Sequence, residues 1–81
     1  MKVRVKFFAI LRERAGVGEI SKEIQEGSTV ADLWQALQEE YPKLHVPGVR
    51  LLYAVNQNYV SPEEILNEMD EVVFVPPVSG G

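Results

Sequence analysis

The chain has no cysteine and a single histidine, His45. Without a thiol there is no disulfide staple, no thiolate nucleophile and no sulfur ligand for a metal, and one imidazole alone does not build a transition-metal site. Long apolar runs are missing as well. No stretch approaches the roughly 20 residues that cross a bilayer. The opening segment MKVRVKFFAIL has positive charge followed by apolar residues but lacks the continuous apolar stretch and the small-residue cleavage site of a secretory signal. Basic charge is scarce: 8 lysines and arginines face 12 acids, for a net charge of −4, which argues against nucleic acid as a partner because phosphate neutralisation needs a basic surface. At 81 residues the chain has room for one domain only. These absences lead to the expectation of a cytoplasmic domain with no membrane partner, no metal site and no evident catalytic equipment.

What is present is an ordinary core composition, 46% hydrophobic, with its charge unevenly distributed. Residues 1–14 carry Lys2, Arg4, Lys6, Arg12 and Arg14 against Glu13 alone, whereas from Ser61 onward there are five acids (Glu63, Glu64, Glu68, Asp70, Glu71) and no base. An uneven charge of this kind either keeps a small domain soluble or makes an acidic face that steers a basic partner.

Hydropathy periods give the element order. Lys2 to Phe8 alternates, with Val3, Val5 and Phe7 on one side and Lys2, Arg4, Lys6 and Phe8 on the other, the period of a half-buried strand. Ala9 to Ala15 reads as a short helix closed by Gly16 and Gly18, and Glu19 to Gln25, with Ile20 and Ile24, as a strand pairing antiparallel with the first. Thr29-Val-Ala-Asp32 is a capping-box variant. Behind it Val30, Leu33, Trp34, Leu37 and Tyr41 form one apolar helical stripe, which Pro42 ends. Lys43 to Arg50 reads as a loop, Leu51 to Asn56 as a strand, Gln57-Asn58 as a turn, and Tyr59-Val60 as a brief return strand. Ser61-Pro62-Glu63-Glu64 has the cap and proline of a single helical turn. Asp70 to Val75 is the last strand, and its apolar run Val72 to Val75 suits a position flanked on both sides, beside the first strand. The fold class expected is α+β, a small mixed sheet with one main amphipathic helix on one face, over residues 1–75, followed by a tail over residues 76–81.

No enzyme signature stands out. Ser21, Ser28, Ser61 and Ser79 have only His45 as a base, the Glu39/Glu40 and Glu63/Glu64 pairs are sequence neighbours that do not face each other on a helix, and no phosphate-binding glycine loop is present. The tail is the unusual feature. Pro76 and Pro77 favour a stiff, extended exit from the last strand, Val78 and Ser79 follow, and Gly80 and Gly81 carry no side chain, so the peptide fits a channel too narrow for other residues. At its tip is the Gly81 carboxylate. It is inert as it stands, electrophilic as an acyl-adenylate, and convertible from there to a thiocarboxylate by a sulfur donor or to an amide by an amine. A frayed, glycine-rich terminus is the alternative reading of the same residues.

Three segments resemble the MoaD family, the small subunits of molybdopterin synthase: Lys6 to Glu13 (KFFAILRE) followed by Gly16, Leu51 to Gln57 (LLYAVNQ), and Asp70 to Gly81 (DEVVFVPPVSGG). The last is the most specific, and the span from Gly18 to Arg50 agrees in pattern only. The resemblance implies a β-grasp, ubiquitin-like fold. It also implies that an E1-like adenylating partner, using ATP and magnesium that this chain does not itself bind, activates the Gly81 carboxylate. A sulfur donor such as a cysteine desulfurase or a rhodanese-like protein then yields the thiocarboxylate. The large subunit takes the tail, Pro76, Pro77, Val78, Ser79, Gly80 and Gly81, into its active site, within a heterotetramer, and sulfur passes to precursor Z (cyclic pyranopterin monophosphate) to form the dithiolene of molybdopterin. Such a subunit is not catalytic alone. Strand parity offers the docking face: if Val3, Val5 and Phe7 face the helix, Phe8 lies on the open side, where the last strand presents either Val73 and Val75 or Val72 and Phe74. Phe8, Val73 and Val75 are the set expected to form an exposed apolar patch, the competing reading being that the chain itself covers them. Relatives that deliver sulfur to thiamine or tRNA, ubiquitin-like modifiers conjugated to lysines, and a plain interaction module with an idle tail are the competing readings.

Overall fold

The computed structural model describes residues 1–45 and 50–76. Its elements are β1 (Lys2–Phe7), α1 (Ile10–Ala15), β2 (Glu19–Glu23), α2 (Val30–Glu40), a 3-10 turn (Pro42–Leu44), β3 (Leu52–Val55), β4 (Asn58–Val60) and β5 (Glu71–Val75). The sheet runs β2-β1-β5-β3-β4. β1 and β5 are parallel neighbours and the other pairs are antiparallel, so the two ends of the chain share the middle of one mixed sheet. With the helices on one face, this is a β-grasp-like fold.

Parity decides which side of each strand is buried. Val3, Val5 and Phe7 of β1 and Val72 and Phe74 of β5 are buried, and they meet Val30, Leu33 and Leu37 of α2, Leu11 of α1, and Leu44, Val55 and Leu66. Phe74 is, with Phe7, the largest side chain in this core. It stacks near Trp34 (centroids 4.7 Å apart) and takes Tyr53 edge-on at 5.8 Å, geometries that add to what its buried area alone contributes.

The start of α2 follows the sequence rule. The Thr29 hydroxyl accepts from the Asp32 N–H (3.2 Å), and the Asp32 carboxylate accepts from the Thr29 N–H (3.0 Å). The next two free donors are satisfied from elsewhere: the Val30 N–H donates to the Glu64 carbonyl (3.0 Å) and the Ala31 N–H to the Pro62 carbonyl (2.9 Å). The expected single turn at Ser61–Glu64 is closed by the Glu64 N–H donating to the Ser61 carbonyl (3.1 Å), but no helix is assigned there. The Pro62 and Glu64 carbonyls serve the start of α2 and are not available to extend the turn, and Ile65 bridges to Thr29 as an isolated β-pair.

Strand ends shift by one or two residues, β2 ending at Glu23 and β3 spanning Leu52–Val55, and three further differences have a clear physical cause. The hairpin between β3 and β4 turns on Asn56-Gln57, one residue before the expected Gln57-Asn58, and both residues have positive φ (50° and 72°). That is the backbone of a two-residue primed turn, whose twist matches the strands. Asn56 is fixed there by its side chain: its Nδ2 donates to Asp70 Oδ1 (2.8 Å) and its Oδ1 accepts from the Glu71 N–H (3.0 Å). Asp70, the one buried polar residue among those described, also accepts from the Asn67 N–H (2.7 Å). The short helix begins at Ile10 because Ala9 lies outside helical space (φ 52°, ψ −126°). Finally, the expected loop after Pro42 opens with the 3-10 turn, which drives Leu44 into the core.

Candidate functional site: the open sheet face and the tail

The face of the sheet opposite the helices divides into a charged half and an apolar half. On β2, β1 and β5 the cross-strand register sets cations diagonally to acids: Arg4 pairs with Glu19, and Lys6 Nζ lies 3.2 Å from Glu71 Oε2. The four side chains form a self-compensating set. Thus Arg4 and Lys6 are not free cations on this face, and Glu19 and Glu71 are not free acids. The hydrogen bond from Arg4, aided by its charge, holds the Glu19 carboxyl below the ordinary glutamate range. A folded-state pKa lowered in this way contributes stability above the unfolded value and loses it as pH falls through the folded value. Because both groups are exposed, salt screens the pair. A carboxyl-carbon NMR titration should therefore show Glu19 ionising below the usual range, and Arg4→Gln should return it there. An identical Glu19 titration in the variant would contradict the pairing.

The apolar half lies on β5, β3 and β4. Val73 and Val75 are half-buried on the open side of β5, and Phe8, just past the end of β1, is 51% exposed. All three residues picked out from sequence thus lie on the side away from the core. Register adds two that strand parity in the sequence did not supply. Leu52 is opposite Val75 and is 52% exposed, and Tyr59 is opposite Ala54, itself opposite Val73, and is 72% exposed. Leu52 sits in the unbroken run Leu51 to Val55, where alternation gives no sign of which side faces out, and Tyr59 becomes part of the patch only through the Ala54 pairing. Together Phe8, Leu52, Tyr59, Val73 and Val75 make an apolar surface around the C-terminal end of β5, of the kind that marks an interaction site. A shallow groove bordered by Lys6, Arg12 and Glu19 adjoins it at Phe8.

Pro76 leaves β5 at the edge of this surface and is half-buried. The remaining tail residues, Pro77, Val78, Ser79, Gly80 and Gly81, lie outside the described residues. His45 is exposed, within 3.1 Å of the Gln38 amide, and no serine accompanies it in a hydrogen bond among the described residues. Among those residues no helix is long and apolar enough to cross a membrane, and no three metal-ligating side chains converge.

Comparison with known proteins agrees with this architecture from end to end. Residues 5–81 match the model of the ThiS family. The molybdopterin synthase sulfur carrier subunit of Chlamydomonas reinhardtii is 39% identical over 83 residues, covering 100% of both chains. Among solved structures, SAMP1 from Haloferax volcanii superposes with a TM-score of 0.89 at 27% identity over 100% of both chains. A chain from the complex of subunits 1 and 2 of the molybdopterin-converting factor of Helicobacter pylori superposes with a TM-score of 0.70 at 25% identity, again over 100% of both. A sheet with β1 and β5 at its centre, a long helix on one face only, and a sequence match that runs through Gly81 place this chain in the MoaD/ThiS family of ubiquitin-like sulfur carrier proteins, whose role in the synthase is that of a non-catalytic subunit.

Proposed function

We propose that this chain is the sulfur-carrying small subunit of a molybdopterin synthase. The observation that carries the proposal is the end-to-end match to a curated sulfur carrier subunit of that enzyme, joined to an exposed apolar surface at the base of a tail ending in Gly80-Gly81. A carboxylate does not react with sulfur nucleophiles at neutral pH, so Gly81 requires activation. In the proposed sequence a carboxylate oxygen attacks the α-phosphorus of ATP on an E1-like enzyme that holds the magnesium, and pyrophosphate leaves. The persulfide of a cysteine desulfurase or rhodanese-like donor then displaces AMP to give an acyl disulfide, and a thiol reductant cleaves its S–S bond, leaving sulfur on the Gly81 carbonyl carbon and the thiol oxidised to a disulfide with the donor. The resulting thiocarboxylate is a good nucleophile at neutral pH. Carried into the active site of the large subunit, its sulfur attacks a carbon of precursor Z and displaces an oxygen substituent, and hydrolysis of the resulting thioester leaves the sulfur on the product and restores the Gly81 carboxylate; two charged carriers supply the two sulfurs of the dithiolene. The whole cycle is assigned to the cytoplasm.

The small subunit contributes placement to this chemistry. Phe8, Leu52, Tyr59, Val73 and Val75 dock on the large subunit, Pro76 and Pro77 aim the chain, Val78 and Ser79 span the channel, and Gly80 passes where a side chain would not. In support of a two-subunit assembly, the Helicobacter pylori relative is found in a complex of subunits 1 and 2. Phe8→Asp and Val75→Asp should each weaken binding to the large subunit at least about tenfold, as expected when a charge replaces an apolar anchor, with melting curves showing that the domain still folds. Unchanged affinity in a calorimetric titration would refute the assignment of this face.

A second reading has one observation in its favour. The close superposition on SAMP1, named in full a small archaeal modifier protein, suits a chain whose activated Gly81 is captured by a lysine amine. The adenylation step is common to both readings, and they diverge in the nucleophile that displaces AMP.

A further inference from the structure

Ala9 occupies a backbone corner that a side chain makes costly. Its φ of 52° and ψ of −126° lie in the region used by glycine at the first central position of a type II′ turn. The turn is closed: the Leu11 N–H donates to the Phe8 carbonyl (3.1 Å), and the Arg12 and Glu13 N–H groups both donate to the Ala9 carbonyl (3.1 and 3.3 Å). Three hydrogen bonds therefore clamp a strained residue between the end of β1 and the buried Leu11 of α1. Beside the clamp stands Phe8, an aromatic ring left 51% exposed on the open face. Glycine would remove the strain, so the methyl group at Ala9 costs stability.

We propose that Ala9 is a positioning residue for docking: its Cβ narrows the conformations of the Phe8–Leu11 turn and so holds Phe8 in the direction the partner meets. This rests on the docking face proposed above. Glycine at position 9 relaxes the corner but widens the range of directions open to Phe8, and the ordering then has to be supplied on binding. d-Alanine separates the two effects, because the mirror image of Ala9's dihedrals is an ordinary extended conformation. It relieves the strain and keeps the stiffness.

Three full-length chains, native, Ala9→Gly and a synthetic chain with d-alanine at position 9, should be compared by thermal melting and by titration against the large subunit, with Phe8→Asp as a control. The melting temperature is expected to rise in both variants, by roughly 5 °C or more. Affinity is expected to fall about three- to tenfold for glycine and to be retained for d-alanine. The signature is the crossing of the two orders, with glycine more stable than the native chain yet binding more weakly. If Ala9→Gly binds as tightly as the native chain while Phe8→Asp binds weakly, the turn has no positioning role and the docking face stands. If Phe8→Asp also binds normally, the docking face itself is wrong.

Discussion

Removing Gly81 is expected to abolish sulfur delivery completely while leaving the domain folded and able to dock. The separation of the two properties follows from where they are encoded. The buried core runs from Val3 to Phe74, and the proposed docking surface ends at Val75, so neither depends on the last residue. The proposed chemistry does depend on it. A chain ending at Gly80 presents its carboxylate one residue short, by about 3.5 Å of extended backbone, and misplacement of a reacting group by even 1 Å costs on the order of a hundredfold in rate. In a reconstituted system with the activating enzyme, ATP, magnesium, a sulfur donor, the large subunit and precursor Z, the truncated chain should give no molybdopterin and should compete with the intact chain for the large subunit. Continued synthesis at the native rate with the truncated chain would rule out the tail as the carrier.

Phe74→Ala is expected to be the most damaging single substitution in the core. Its ring is fully buried at the centre of the sheet, against Phe7, Trp34 and Tyr53. Deleting a buried phenyl group costs about 3–5 kcal/mol, part lost transfer energy and part cavity. Domains of this size have total stabilities of only about 5–10 kcal/mol, so the loss takes away a large share and leaves a population sensitive to mild denaturant. Trp34, with its ring centroid 4.7 Å from that of Phe74, reports the change through its fluorescence during urea titration. The neighbouring Val73→Ala is the control: on the half-buried open face it should cost less than about 1 kcal/mol. Equal losses for the two variants would mean that the parity assigned to β5 is wrong.

Much of this fold was legible because the signals are local. The alternation of Val3, Val5 and Phe7, the Thr29–Asp32 capping box and the apolar run of β5 each depend on a few consecutive residues, and each element formed where its pattern lay. The features that were not legible arise from pairing between distant segments. The hairpin turn moved to Asn56 because Asp70 and Glu71, fourteen and fifteen residues away, hold that side chain. Ser61–Glu64 has the letters of a helix start, yet it closes only one turn because its Pro62 and Glu64 carbonyls are used by the N-terminus of α2. The charge asymmetry was plain in composition, but only the sheet register showed Arg4 meeting Glu19 and Lys6 meeting Glu71. The proposed docking surface followed the same division. Phe8, Val73 and Val75 came from parity within single strands, whereas Leu52 and Tyr59 required the register of β3 against both neighbours. The strain at Ala9 has no sequence signal, since an alanine before a helix is the least informative of residues.

The central claim is that Gly81 carries sulfur, and intact mass spectrometry tests it most directly. The chain should be incubated with its activating enzyme, ATP, magnesium and a sulfur donor, weighed, and fragmented. The expected result is a mass increase equal to the exchange of one oxygen for one sulfur, located by fragmentation at Gly81. An unchanged chain in the presence of demonstrable adenylate formation, or AMP displaced only by lysine amines to give conjugates, would contradict the account.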